Sequence, residues 1–200
     1  MTKFPKHLPA DERRSATVAT VIDLAAEQNP SDITTAAIAK RMGLTQGAIF
    51  RHFANKDAIL EAVMAWVSKR LLARIDKAIK NAASPLDGLE AAFLTHVDFV
   101  AKHPGIPRML FGELQRTGET LPKKMVQTLL QHYSERISQQ LAQGKEQGQL
   151  YADLDISAAT LLYVGTIQGL VMQSVLVGHT KTIKDDAARV FAIYSRGIQA

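Results

Sequence analysis

Residues 43–56 read GLTQGAIFRHFANK. Within this stretch Thr45, Gln46, Arg51 and Lys56 carry hydrogen-bond donors, Ala48 presents a bare methyl, and His52 sits beside Arg51. The stretch is too interrupted for a core helix and too apolar for a plain loop. Its residue types match the edges of nucleic-acid bases: Thr and Gln bond base edges, and Arg bonds guanine or phosphate. Binding a duplex also needs donors around the rim to fix register on phosphates. Thr34 and Thr35 open the preceding segment, and Lys56 opens the following one, where free N–H groups and the helix dipole favour an anion. Lys40, Arg41, Arg13 and Arg14 add charge nearby.

Other chemistries find no residues. There is no Gly-rich phosphate loop, HExxH, GxSxG or paired-carboxylate pattern, so we expect no enzyme and no cofactor. The chain has no cysteine, which excludes disulfides and thiolate metal sites. His96, His103 and His132 with Asp98 are too scattered to argue a metal site.

The elements that position these groups are helical. Strand and hairpin signals are almost absent, and 3-4 spaced apolar residues recur along most of the chain. A helix starts at Pro9 with acids in its first turn and carries the stripe Val18, Val21, Ile22, Ala25 and Ala26; QNPSD (28–32) breaks it. Thr34 caps a short helix TAAIAKRM that Gly43 ends. Thr45 caps another, running through about His52. Asn55 caps a long helix reaching about Asn81. Helices then follow to His103, through PGIPRMLFGELQRTGETLP, over 122–148, over 156–178 where Asp155 opens the helix, and from about Thr182 to Gly197. This predicts an all-α protein of about nine helices, with three short helices in 10–53 and longer ones after.

Two short helices joined by a tight turn hold one helix away from the body, as in a helix-turn-helix. Ala39 is small where the pair must approach, Gly43 suits the turn, and Ile38, Met42, Leu44 and Ile49 can form the shared core. The outward face is then Thr45, Gln46, Ala48 and Arg51 or His52. The competing reading is a three-helix core with a solvated charged surface. Net charge does not separate the two: residues 1–57 carry eight Lys/Arg against six Asp/Glu, and the remainder sixteen against thirteen.

Residues 34–60, TTAAIAKRMGLTQGAIFRHFANKDAIL, resemble the DNA-binding signature of the TetR (tetracycline-repressor-like) transcriptional regulators. The matching positions are Thr34, Ile38-Ala39, Gly43, Thr45, Gly47, Phe50-Arg51-His52-Phe53 and Asn55-Lys56. The resemblance implies a DNA-binding domain over 1–55 and a helical effector-binding and dimerisation domain over 56–200. It implies a cytoplasmic regulator, a repressor that binds a palindromic operator on double-stranded DNA as a homodimer and is released by a small effector. One position departs: the family's usual tyrosine, whose hydroxyl commonly reaches a phosphate, is Phe50 here.

For the larger part, the resemblance places the last two long helices in the interface between subunits. The segment ISAATLLYVGTIQGLVMQSVLVG (156–178) has no charge and spans about 35 Å as a helix. That is long enough to cross a bilayer. Its glutamines and serines, and the lack of a basic cluster and of aromatic belts at both ends, favour instead a helix buried on most sides, with no membrane partner. Gly165 and Gly169 share a face and permit close helix approach, either across subunits or within the chain. Trp66, Phe99, Met109, Phe111, Met125, Tyr133, Tyr163 and Met172, with Leu94, are candidates for an effector pocket or for plain core; the effector they suit is fairly apolar. His96 or His103 is a candidate polar anchor. A DNA-binding protein of the same fold that holds a protein partner, with no small-molecule effector, is the alternative.

Overall fold

Local capping chemistry sets the helix boundaries. The computed structural model describes residues 9–177 and 183–200, and among these it contains nine α-helices and one short 3-10 helix. In order these are α1 (Ala10–Glu27), the 3-10 turn Pro30–Asp32, α2 (Thr35–Met42), α3 (Gln46–Phe50) and α4 (Lys56–Lys80). Then follow α5 (Pro85–Lys102), α6 (Gly105–Gln115), α7 (Leu121–Glu146), α8 (Ile156–Val177) and α9 (Ile183–Arg196). An isolated antiparallel bridge joins Leu150 and Gln199. The fold is all-α, as the apolar spacing implied.

The expected caps are in place. Thr34 accepts from the Ala37 N–H at 3.1 Å and Thr45 from the Ala48 N–H at 3.3 Å. Asn55 accepts from Ala58 at 2.8 Å and Asp155 from Ala158 at 3.0 Å. Each satisfies an orphan donor of a helix start. Three details differ from expectation. The first helix is not short but 18 residues. The break at 28–32 holds a 3-10 turn, whose Asn29 accepts from Ser31. The third helix ends at Phe50, not His52, and the chain turns through hydrogen bonds from His52 and Phe53 to the Ile49 carbonyl. Thr182, the expected start of the last helix, lies outside the described residues.

The chain packs as two units: residues to Ser68 with His103–Gln127, and Lys69–Lys102 with Thr128–Ala200. In the first unit α1 packs on α2 and α6, and α2 on α3. Gly105 opens α6 directly against α1: a Cβ there would lie 2.5 Å from the Ile22 carbonyl oxygen and 2.6 Å from the Ala26 nitrogen. The stripe Val18, Val21, Ile22 and Ala25 is buried, and Ala26 is half-buried.

In the second unit α5 packs on α8 and α9, and those two on each other. Phe93, Tyr163, Phe191 and Tyr194 form its aromatic centre; the Phe93 and Tyr163 rings meet edge-on at 5.4 Å between centroids. Gly88 leaves room for Gln140, whose Oε1 lies 2.6 Å from where a Cβ would stand.

Candidate nucleic-acid interface

The first unit holds α3 outward on a small shared core. Ile38, Ala39, Met42 and Ile49 are buried and Leu44 is half-buried. Gly43 turns the chain at φ 67°, a left-handed conformation that glycine adopts without the Cβ penalty. The Leu44 N–H closes that turn on the Ala39 carbonyl at 2.9 Å. Beneath α3 the Phe53 ring is buried, and the Arg14 guanidinium stacks over it at 4.5 Å while donating to the His52 carbonyl.

The outward face carries the residues singled out from spacing. Thr34, Thr45, Gln46 and Arg51 are exposed; Thr35, Ala48, His52 and Lys56 are half-buried. Several are already engaged. Gln46 Nε2 donates to Thr35 Oγ1 at 2.6 Å, so the reading helix is tied to the start of α2. Lys56 Nζ donates at 3.2 Å to the carbonyl of Ser31, within the 3-10 turn. The threonine hydroxyls at 34 and 45 serve as caps and keep their own protons to donate. Phe50 is 45% exposed on this side, with no hydroxyl to offer.

Two of the expected rim charges are placed otherwise. Arg13 is buried at 5% exposure. Arg41 forms a bidentate pair with Glu27, and hydrogen bonding from Arg41 holds the Glu27 carboxyl below its usual range. Nothing in the spacing of residues 13, 27 and 41 signals either arrangement.

A cleft of about 570 Å³ lies in the same unit, lined by Ser31, Lys56, Asp57, Leu60, Arg108 and Glu113 among others. Arg116, at the end of α6, bonds Asp57 at 3.3 Å and the buried Glu113 at 3.3 Å. It therefore ties α6 to the first turn of α4, next to Lys56.

The pocket candidates divide between the units. Trp66, Met109, Phe111 and Met125 belong to the first; Met109 is buried and lines the cleft, and the other three are half-buried. The Trp66 ring meets His103 edge-on at 5.4 Å. Phe99, Tyr133 and Tyr163 are buried in the second unit. Met172 is 38% exposed and lies on the open side of α8.

That open side corrects one expectation. α8 is the described helix long and apolar enough for a bilayer, but its own chain buries only 28% of the apolar window, so it is not covered on most sides. Leu161, Leu162, Leu176 and Val177 on α8 and Ile193 on α9 are all more than half exposed. Among the described residues, added Cβ atoms at Gly165 and Gly169 would meet nothing within 4 Å, so those glycines serve no packing there.

An all-helical protein with a turn-held reading helix and a second helical unit is a helix-turn-helix regulator by fold and site. The TetR family of bacterial regulatory proteins matches over residues 19–63, and the YsiA-like C-terminal region of that family over 64–197. The chain belongs to the TetR family, whose members are DNA-binding transcriptional regulators and not enzymes. The nucleoid occlusion factor SlmA of Haemophilus influenzae is 28% identical over 110 residues, 55% of this chain and 50% of that protein. The chain thus spans about half the length of such relatives. Among solved structures, the fatty acid degradation regulator FadR of Bacillus halodurans aligns with a TM-score of 0.83 at 20% identity, over 96% of this chain and 98% of that one. FadR of Bacillus subtilis, in complex with stearoyl-CoA, aligns at 0.79 and 20% identity over 92% and 99%. These two likenesses are of fold.

Proposed function

We propose that this regulator is a cytoplasmic repressor that binds a palindromic operator as a homodimer and is released by a small, fairly apolar effector. The observation that carries the reading is the uncovered apolar side of α8 and α9, with Gly165 and Gly169 open upon it. A twofold dimer sets the same patch against itself and points two reading helices at two half-sites. Residues 1–55 then form the reading part and 56–200 the effector and dimer part. Thr45, Gln46, Ala48, Arg51 and His52 face the bases, while Thr34, Thr35 and Lys56 hold phosphates. Gln46 exchanges its bond with Thr35 for a base edge on binding.

The switch runs through α4. An effector that favours the non-binding conformation shifts α4, and with it Lys56 and the separation of the two reading helices. The Arg116 ion pair to Asp57 supports this, because it makes the start of α4 follow α6. Stearoyl-CoA is the first probe, since a protein of like fold is in complex with it.

Selection of bound DNA from random duplexes tests the reading. A palindrome is expected, and a lone half-site bound by a protein that sediments as a monomer at micromolar concentration refutes it. Stearoyl-CoA is expected to lower affinity for the selected duplex; unchanged affinity rejects that effector class. The likeness to a nucleoid occlusion factor supports a second reading, in which the protein sits on DNA and its C-terminal part holds a protein partner instead.

A further inference from the structure

One side chain on the reading face of the first unit is out of keeping with its neighbours. Among the described residues of α1, α2 and α3, Phe50 is the large apolar side chain left exposed, at 45%. Phe53, three positions on, is 2% exposed under the Arg14 guanidinium. Phe53 therefore serves packing in full, and Phe50 only in part. The helix fixes where the Phe50 ring lies. Ile49 is 1% exposed and marks the inward side of α3, so Phe50, one position on, lies off that side. Gln46 stands four residues before Phe50 and Gly47 three before, and residues at those spacings are neighbours on a helix surface. Both are exposed. Among the described residues, an added Cβ at Gly47 would meet nothing within 4 Å. An amide, a bare stretch of backbone and a phenyl ring thus sit side by side on α3.

A phenyl ring has no donor for a phosphate. Pressed against one, it strips water from a charged group and returns no bond. A base edge is different. The major groove presents donors and acceptors together with one apolar group, the C5-methyl of thymine, and phenylalanine is among the side chains that pack on it. The missing side chain at Gly47 leaves room for that base edge to come close, as glycine does where backbone must approach a ligand.

We infer that Phe50 reads sequence: its ring packs on the C5-methyl group of one thymine in each operator half-site, next to the base that Gln46 bonds. This rests on the DNA-reading face given above. A hydroxyl on a phosphate holds any sequence equally, because every nucleotide carries the same phosphate. A ring on a methyl group favours the one base that has the methyl. Phe50 in place of the family's usual tyrosine therefore exchanges a contact blind to sequence for one that selects thymine.

The test uses the full chain and the duplex selected from random DNA, with binding read by fluorescence anisotropy. Each thymine of the half-site is replaced in turn by deoxyuridine, which lacks only the methyl group, in both half-sites at once. At one thymine position affinity is expected to fall about tenfold, for two methyl groups lost. Phe50→Ala is expected to bind the thymine duplex at least as weakly, and to lose nothing further when that position carries uracil. Its melting temperature should stay close to that of wild type, because the ring is nearly half exposed. Thr45 and Ala48 also offer methyl groups, so a uracil effect that persists in full in Phe50→Ala belongs to them and overturns the inference. Phe50→Tyr distinguishes the backbone. If the wild type is insensitive to uracil at every position while Phe50→Tyr binds all duplexes more tightly, the ring lies against phosphate and the inference is overturned. A selected palindrome bound with no dependence on thymine methyl groups sinks the role of Phe50 and leaves the DNA-reading face intact. If no duplex is selected, both fall.

Discussion

Replacing Leu161 with alanine tests the proposed subunit interface at its most exposed point. Leu161 is 75% exposed on α8, so its own chain covers little of the side chain. The change removes the equivalent of three carbon groups at about 0.8 kcal/mol each when fully buried. Scaled to the uncovered fraction, that is about 2 kcal/mol per chain. A twofold interface contains the site twice, so the dimer loses about 3–4 kcal/mol. Each 1.4 kcal/mol is tenfold, hence the dissociation constant should rise by roughly two to three orders of magnitude. Sedimentation velocity across a dilution series reads this directly, with circular dichroism to show that the chain stays helical. Affinity for a two-half-site duplex should fall with it, while affinity for a single half-site holds. An unchanged dissociation constant would mean that this face of α8 meets something other than a second copy.

Lys56→Ala is expected to weaken DNA binding uniformly across sequences and to lower the salt slope by about one; an unchanged slope removes its phosphate role. Asp98 accepts from Arg74 and Lys102 at 2.7 Å and from Lys184 at 2.6 Å. Burial pushes its carboxyl up, but the bonds from Lys102, Lys184 and Arg74 outweigh it and hold the pKa well below the carboxylate range. A depressed folded pKa stabilises above the unfolded value and is lost as pH falls, so Asp98→Asn should cost about 1–2 kcal/mol at neutral pH, modest because the lysines are about half exposed. The difference from wild type should shrink in denaturant melts taken below about pH 4, and a gap that persists at low pH rules out the charge as its source. Gly43→Ala meets no atom within 4 Å yet must adopt φ 67°, so a loss of about 1–2 kcal/mol in the first unit is expected from strain alone; no loss in hydrogen-exchange protection of α2 and α3 would refute it.

The sequence by itself determined what depends on near neighbours. The caps at Thr34, Thr45, Asn55 and Asp155, the glycine turn at 43 and the apolar stripe of α1 each rest on residues three or four positions apart. The fold class followed, and so did the outward set from Thr45 to Arg51, because Ile38, Ala39, Met42 and Ile49 leave only one face free. Only the tertiary structure decided which donors are already taken. The Gln46 bond to Thr35 spans 11 residues and the Lys56 bond to Ser31 spans 25. Arg13, equal to Arg14 on paper, is buried while Arg14 stacks on Phe53. Composition also left open what covers α8: an uncharged helix looks buried on most sides, yet which sides its own chain covers depends on where α5 and α9 run. Hydrogen bonds and burial between distant segments are set by packing, which local spacing does not encode.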